Sequence, residues 1–288
     1  MAKDLSSVAM VVSLGFSAYG ASKKDKERSK ELTEANGAAK NRARVEKKLI
    51  DVKNEKSFAA LKNHRAAVRA YHNNVTLPWF DDGSRILPVS KLEEYSAFMR
   101  QARETDAQLV SDFVKEYPAI VLREQARYTA LGGLWNADDY LPASEIRAKF
   151  DFRLSIFPLP RSNDFRVQVR SDEIDELRKQ YEESFSGLLK KARKEMFERL
   201  YETVKTLADN IRQPDKVFKQ ASIDNVTSLC DLLEDLNIEK SSEIEAMRNR
   251  IKSMATVEAS KLREDKPFRA EVSKEADKIL EDLAGYLA

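Results

Sequence analysis

One cysteine in 288 residues, Cys230, is too few for an internal disulfide framework or a zinc site built on thiolates. It lies in the apolar run SLCDLL, where a small buried side chain is expected. Histidine is almost as scarce. His64 and His72 stand eight positions apart on an expected helix, about 80° apart around its axis, whereas a metal-binding pair wants i, i+4. Eight glycines and eight prolines are few for this length and favour helix. Long apolar runs are missing too. VAMVVSLGF (8–16) is shorter than the roughly 20 residues a membrane span needs, and it has neither the basic flank nor the cleavage site of a signal peptide. A cytoplasmic protein is therefore expected. The phosphate-binding loop, the dinucleotide fingerprint, the H-E-x-x-H zinc motif and the nucleophile elbow are all absent.

What is present is charge, unevenly spread. Hydrophobic residues make up 42% and charged residues 34%, which describes a folded chain with wet faces. The net charge of +2 says little. Residues 21–72, however, hold 15 Lys/Arg against 7 Asp/Glu, and residues 141–170 hold 6 against 3. Residues 73–140 and 171–288 lean acidic, with 7 against 11 and 21 against 26. A basic front and an acidic back are the asymmetry associated with polyanion partners.

The apolar patterning predicts an α+β, predominantly helical fold. A small β-sheet is expected within residues 1–170, as an α+β domain with a basic front segment, and a helical domain over 171–288. VAMVVSLGFSAYG reads as a buried strand. KKDKERSKELTEANG reads as a helix capped near Asn36-Gly37, and residues 38–73 as one long basic helix. Ser90 with Glu93 makes a capping box for a helix from about Lys91, which Pro118 should interrupt and Gly132-Gly133 should end. FDFRLSIFPLPRSNDFRVQVR (150–170) alternates with period two on both arms and predicts a hairpin. From Ile174 to Ile211 apolar residues recur every three or four positions, one amphipathic helix that needs a partner in its own chain or in another copy. Shorter helices follow after Pro214.

Two stretches share a device. Trp79-Phe80-Asp81-Asp82 precedes Leu87-Pro88-Val89-Ser90, and Trp135 with Asp138-Asp139-Tyr140 precedes Leu141-Pro142-Ala143-Ser144. The Asp pairs could hold a divalent metal in a nuclease-like site. Carboxylates beside glycine and serine are also ordinary turn formers, and that structural role is the one expected here. The basic segment offers different chemistry. Lys23, Lys24, Lys26, Arg28 and Lys30 follow the first strand, and Lys40, Arg42, Arg44, Lys47 and Lys48 follow Gly37. Arg153, Arg161, Arg166 and Arg170 lie on the expected hairpin. Such cations beside Phe16 and Tyr19 suit a phosphate backbone with some base stacking, although interleaved Asp25, Glu27, Glu31 and Glu34 also suit a solvated helix face.

Several of these segments together resemble an uncharacterised family from bacteriophages and mobile elements. The resembling stretches are VVSLGFSAYGASKKDK, KKL at 47–49, LPWFDDGSRILP, LGGLWNADDYLP and FDFRLSIFPLPRSNDFRV, in order over roughly residues 8–170. Members of that family carry a Trp-Thr-Gly-Arg run where this chain reads Phe16-Ser17-Ala18-Tyr19-Gly20, so no role for that arginine carries over. The resemblance implies a phage setting, hence the host cytoplasm, with genes often near those of a MoxR-type AAA+ ATPase and a von Willebrand A-domain protein. It supplies no catalytic residues. The expectation is a non-enzymatic protein, without cofactor or metal, that binds nucleic acid, single-stranded DNA above all, and self-associates through its helices. An adaptor for the ATPase and a metal-dependent nuclease are the alternatives.

Overall fold

The computed structural model describes residues 5–36, 42, 44–130, 135–160, 171–213 and 218–288. The strands are β1 (Ala9–Ser17), β2 (Ser22–Asp25), β3 (Val45–Lys48), β4 (Leu77–Pro78), β5 (Arg85–Pro88) and β6 (Asp151–Pro158). The helices are α1 (Lys26–Ala35), α2 (Lys56–Asn74), α3 (Leu92–Ala130), α4 (Ala143–Ile146), α5 (Ser171–Arg212), α6 (Gln220–Leu236), α7 (Ser242–Met254), α8 (Ala259–Glu264) and α9 (Lys266–Leu287). The fold is α+β and predominantly helical, with its strands in the first part of the chain and a helical C-terminal bundle. One sheet has the strand order β4-β5-β1-β6 and the other pairs β2 with β3.

The chain gathers into two compact units, and they do not follow a division at residue 170. One comprises residues 1–13, 72–95 and 155–288, and the other residues 14–71 and 96–154. In the first, α5 supplies Ala192, Met196, Leu200, Val204, Leu207 and Ile211 to a core completed by α6, α7 and α9. The long helix thus finds its partners in its own chain, chiefly α9 and α6. Each such Leu or Ile withdrawn from water stabilises by about 1.5–3 kcal/mol. The corner at 76–88 belongs to this unit. β4 and β5 pair antiparallel, with Leu77 opposite Ile86. Gly83, at φ 88°, turns the chain between them. Trp79 N–H donates to the Ser84 carbonyl at 3.0 Å, and its indole packs edge-on against Phe185. The Trp-Phe-Asp-Asp stretch is therefore a hairpin tip anchored in the core by Trp79, with Phe80, Asp81 and Asp82 exposed.

The second unit packs Phe58 of α2 against Phe113 of α3, with ring centroids 4.7 Å apart, over a core that includes Ala21, Ile50, Tyr117, Ile120 and Ile146. Several sequence expectations change here. Residues 22–25 are strand and not helix. The long basic helix expected over 38–73 is instead β3, a turn at 51–54 and α2. Cross-strand pairing, which no local propensity reports, draws these lysine-rich tetrapeptides into a sheet. Ala21 bends the chain between β1 and β2 with φ 51°, and its carbonyl accepts Leu49 N–H at 2.8 Å. Left-handed backbone at alanine costs energy that the surrounding structure must offset.

Two further helix expectations change. α3 runs unbroken through Pro118. The Ser90 hydroxyl does not close a capping box but donates to Asp235 at 3.0 Å, and a 3-10 turn at Val89–Lys91 leads into α3. α3 ends at Ala130, and Gly132-Gly133, Pro214 and the expected second arm of the hairpin lie outside the described residues. Its first arm is β6.

Candidate nucleic-acid interface

The β2–β3 register decides where the front lysines point. Lys23 stands opposite Lys47 and Lys24 opposite Glu46. Alternation along a strand puts Lys23 and Lys47 on one face, and Ser22, Lys24, Glu46 and Lys48 on the other. Two directly opposed ammonium groups repel. Asp139 resolves this by accepting from both, with contacts of 2.9 Å to Lys23 and 2.7 Å to Lys47. Lys47 and Asp139 are only 12% exposed, while Lys23 is 51% exposed. Burial by itself would raise the Asp139 carboxyl, but the hydrogen bonds from Lys47 and Lys23 hold it below the usual carboxylate range. Lys47 also lies 5.2 Å from the centre of the Tyr128 ring. Tyr128 and Tyr140 donate their hydroxyls to the Lys48 and Leu49 carbonyls, the latter at 2.8 Å.

α1 begins at the end of β2, where the Asp25 carboxylate accepts Arg28 N–H at 3.0 Å as its N-cap. Buried Ser29 ties the helix to β3 by accepting Val45 N–H at 2.9 Å. Between α1 and β3 lies a groove of about 810 Å³, lined by Arg28, Leu32, Ala35, Val45, Lys47, Lys48 and Tyr128 together with Asp25, Glu31 and Glu46. Leu32 is 44% exposed.

The cations named from sequence fall into three groups. Some are neutralised nearby: Lys23 and Lys47 by Asp139, Arg28 by Glu31, Lys30 by Glu34, Arg44 by Glu46 and Arg153 by Asp151. Arg153 also crosses β1 where Gly15 has no side chain, and a Cβ there would meet its Nε at 3.5 Å. Lys24, Lys26, Arg42 and Lys48 are exposed, and none forms an ion pair with a described residue. Lys40, Arg161, Arg166 and Arg170 lie outside the described residues.

The aromatic neighbours divide as well. Tyr19 turns inward, its ring 6.2 Å from that of Tyr117 and edge-on to it. Phe16 stays half-buried and meets Phe152 edge-on, with centroids 4.9 Å apart. Three arginines from α2 and α3 approach these rings: Arg65 and Arg69 at 5.1 and 5.4 Å from Phe16, and Arg103 at 5.4 Å from Phe152. Arg65 is buried and committed to Asp106, at 2.6 and 2.8 Å, and to the Ser17 carbonyl. Arg69 and Arg103 were not singled out in the sequence. An arginine i+4 from Arg65 on a helix was the one available signal.

The Asp pairs fall in different units. Asp82 accepts Ser84 N–H at 2.8 Å within the hairpin turn, and Asp81 meets Lys191 at 2.7 Å. His64 contacts the Ala102 carbonyl at 2.9 Å and His72 the Tyr95 hydroxyl at 2.7 Å. Among the described residues no three His, Cys, Asp or Glu side chains gather to hold a metal, and no helix is long and apolar enough to cross a membrane. No family model matches the chain, and neither a curated protein nor a solved structure is significantly similar to it.

Proposed function

We propose that this chain binds nucleic acid through its phosphates, without chemistry, on the solvent face of the β2–β3 sheet and the first turn of α1. The sorting of charge by compact unit carries the reading. The unit containing these elements holds 23 Lys/Arg against 16 Asp/Glu, a net +7, whereas the other holds 27 against 32, a net −5. A chain that is nearly neutral as a whole thus carries its excess of positive charge in one unit, where acidic residues are fewer. Lys24, Lys26 and Lys48 sit on exposed positions and form no ion pair with a described residue, and Glu46, opposite Lys24, is engaged by Arg44, so the three are available to displace counterions from a polyanion.

The test is fluorescence anisotropy with labelled oligonucleotides at 50 and 200 mM salt. Each phosphate contact contributes about −0.7 to the slope of log K against log salt on a single strand. Replacing Lys24, Lys26 and Lys48 together by glutamine should flatten that slope by about 2 and weaken binding of every sequence alike. Absence of binding at 50 mM would end this reading. It would leave the alternative reading, an adaptor for a MoxR-type AAA+ ATPase, to be sought by co-purification.

A further inference from the structure

We infer that the row formed by Arg69, Phe16, Phe152 and Arg103 is a stacking platform for the bases of a single strand. This rests on the proposed binding of nucleic acid and assigns it a polymer form and a second contact. Phe16 and Phe152 come from β1 and β6, adjacent strands of the four-stranded sheet, and their rings touch edge to face at 4.9 Å. The Arg69 guanidinium carbon lies 5.4 Å from the centre of the first ring, which Arg65 also approaches at 5.1 Å, and that of Arg103 lies 5.4 Å from the centre of the second. Arg69 and Arg103 are exposed residues, and neither forms an ion pair with a described residue. Arg65, beside them, shows the contrast: its charge is answered by Asp106 in a two-pronged pair.

A guanidinium laid over a ring is held flat, and its outer face can take a nucleobase while its edge N–H groups reach a phosphate. In a duplex the base faces are covered by their neighbours, so only an unpaired strand can use such a row. The row belongs to β1, β6, α2 and α3, whereas the lysines belong to β2, β3 and α1, whose groove has Tyr128 as its aromatic lining residue. Together the two surfaces give the basic unit both terms of single-strand recognition.

The experiment compares three labelled probes: a thymidine 20-mer, a strand of the same length and charge built from abasic sites, and a duplex. The unsubstituted chain should bind the thymidine strand at least about tenfold more tightly than the abasic one, since each stacked base contributes a factor of roughly 5 to 150. In Arg69→Gln/Arg103→Gln and in Phe152→Leu, that ratio should fall toward one, with circular dichroism unchanged. The arginine variant alters only exposed side chains, so it reports even where Phe152→Leu fails to fold. Equal binding of thymidine and abasic strands by the unsubstituted chain would overturn the stacking platform and leave the phosphate reading standing. Survival of the ratio in the arginine variant would overturn it too. Failure to bind any of the probes would remove both.

Discussion

Asp139 does at the residue scale what the composition conceals. It neutralises two lysines that the register sets face to face, and it does so from a half-buried position. Asp139→Asn should therefore destabilise the basic unit by about 2 kcal/mol, the size of a charge-assisted hydrogen bond lost next to a shielded ammonium. The pH dependence has a definite sign. The folded-state carboxyl lies below its ordinary value, so its contribution is complete above the unfolded-state value of about 4 and vanishes as pH falls through the lower folded one. Urea midpoints at pH 7 and in acid check this: the variant and the original should differ at neutrality and converge at the acid end. A constant difference across pH would assign the loss to shape and not to charge. Half of this site was legible in the sequence. The lysines could be named because they cluster, but their counter-ion lies in another segment, and only folding brings Asp139 to them.

Legibility among the elements followed the range of the interactions that make them. α5 could be read because Ala192, Met196, Leu200 and Val204 repeat at helical spacing and a helix is held by local bonds. β2 and β3 could not, because SKKD and VEKK have no strand-like composition and exist through pairing across an intervening helix. The same limit hid the Phe16–Phe152 row, whose rings come from distant segments. Pro118 misled in the opposite direction. Its propensity argues for a break, yet α3 continues because Phe113, Tyr117 and Ile120 bury one face around it while Pro118 itself is exposed. The Val114 carbonyl is then the one whose i+4 donor the ring removes. Pro118→Ala should restore that bond and stabilise the chain by about 1–2 kcal/mol, the helical gain less the entropy that proline removes from the unfolded state. Chemical denaturation measures this directly, and a destabilised variant would mean that the proline ring packs against something α3 needs.

At the scale of the whole molecule, the chain passes between its compact units four times, after residues 13, 71, 95 and 154. Each passage falls inside a regular element: β1, α2, α3 and β6 in turn. Domain boundaries ordinarily fall in exposed loops, where few backbone bonds must break for one side to unfold alone. Here strand β1 and the hydrogen-bond series of α2 and α3 run on from one unit to the other, and helix formation is cooperative along its length. Unfolding either unit would strip these shared elements of the side-chain burial that sustains them. The expected outcome is a single transition, with calorimetric and van't Hoff enthalpies equal and with probes in the two units reporting one midpoint. Trp79 and Trp135 fall one in each unit, so single-tryptophan variants provide those probes. A core truncation such as Phe113→Ala should lower both midpoints together, although Phe113 belongs only to the basic unit. Two separated midpoints would mean that β1, α2, α3 and β6 can melt at their middles, and that the basic unit can open while the helical bundle stays folded.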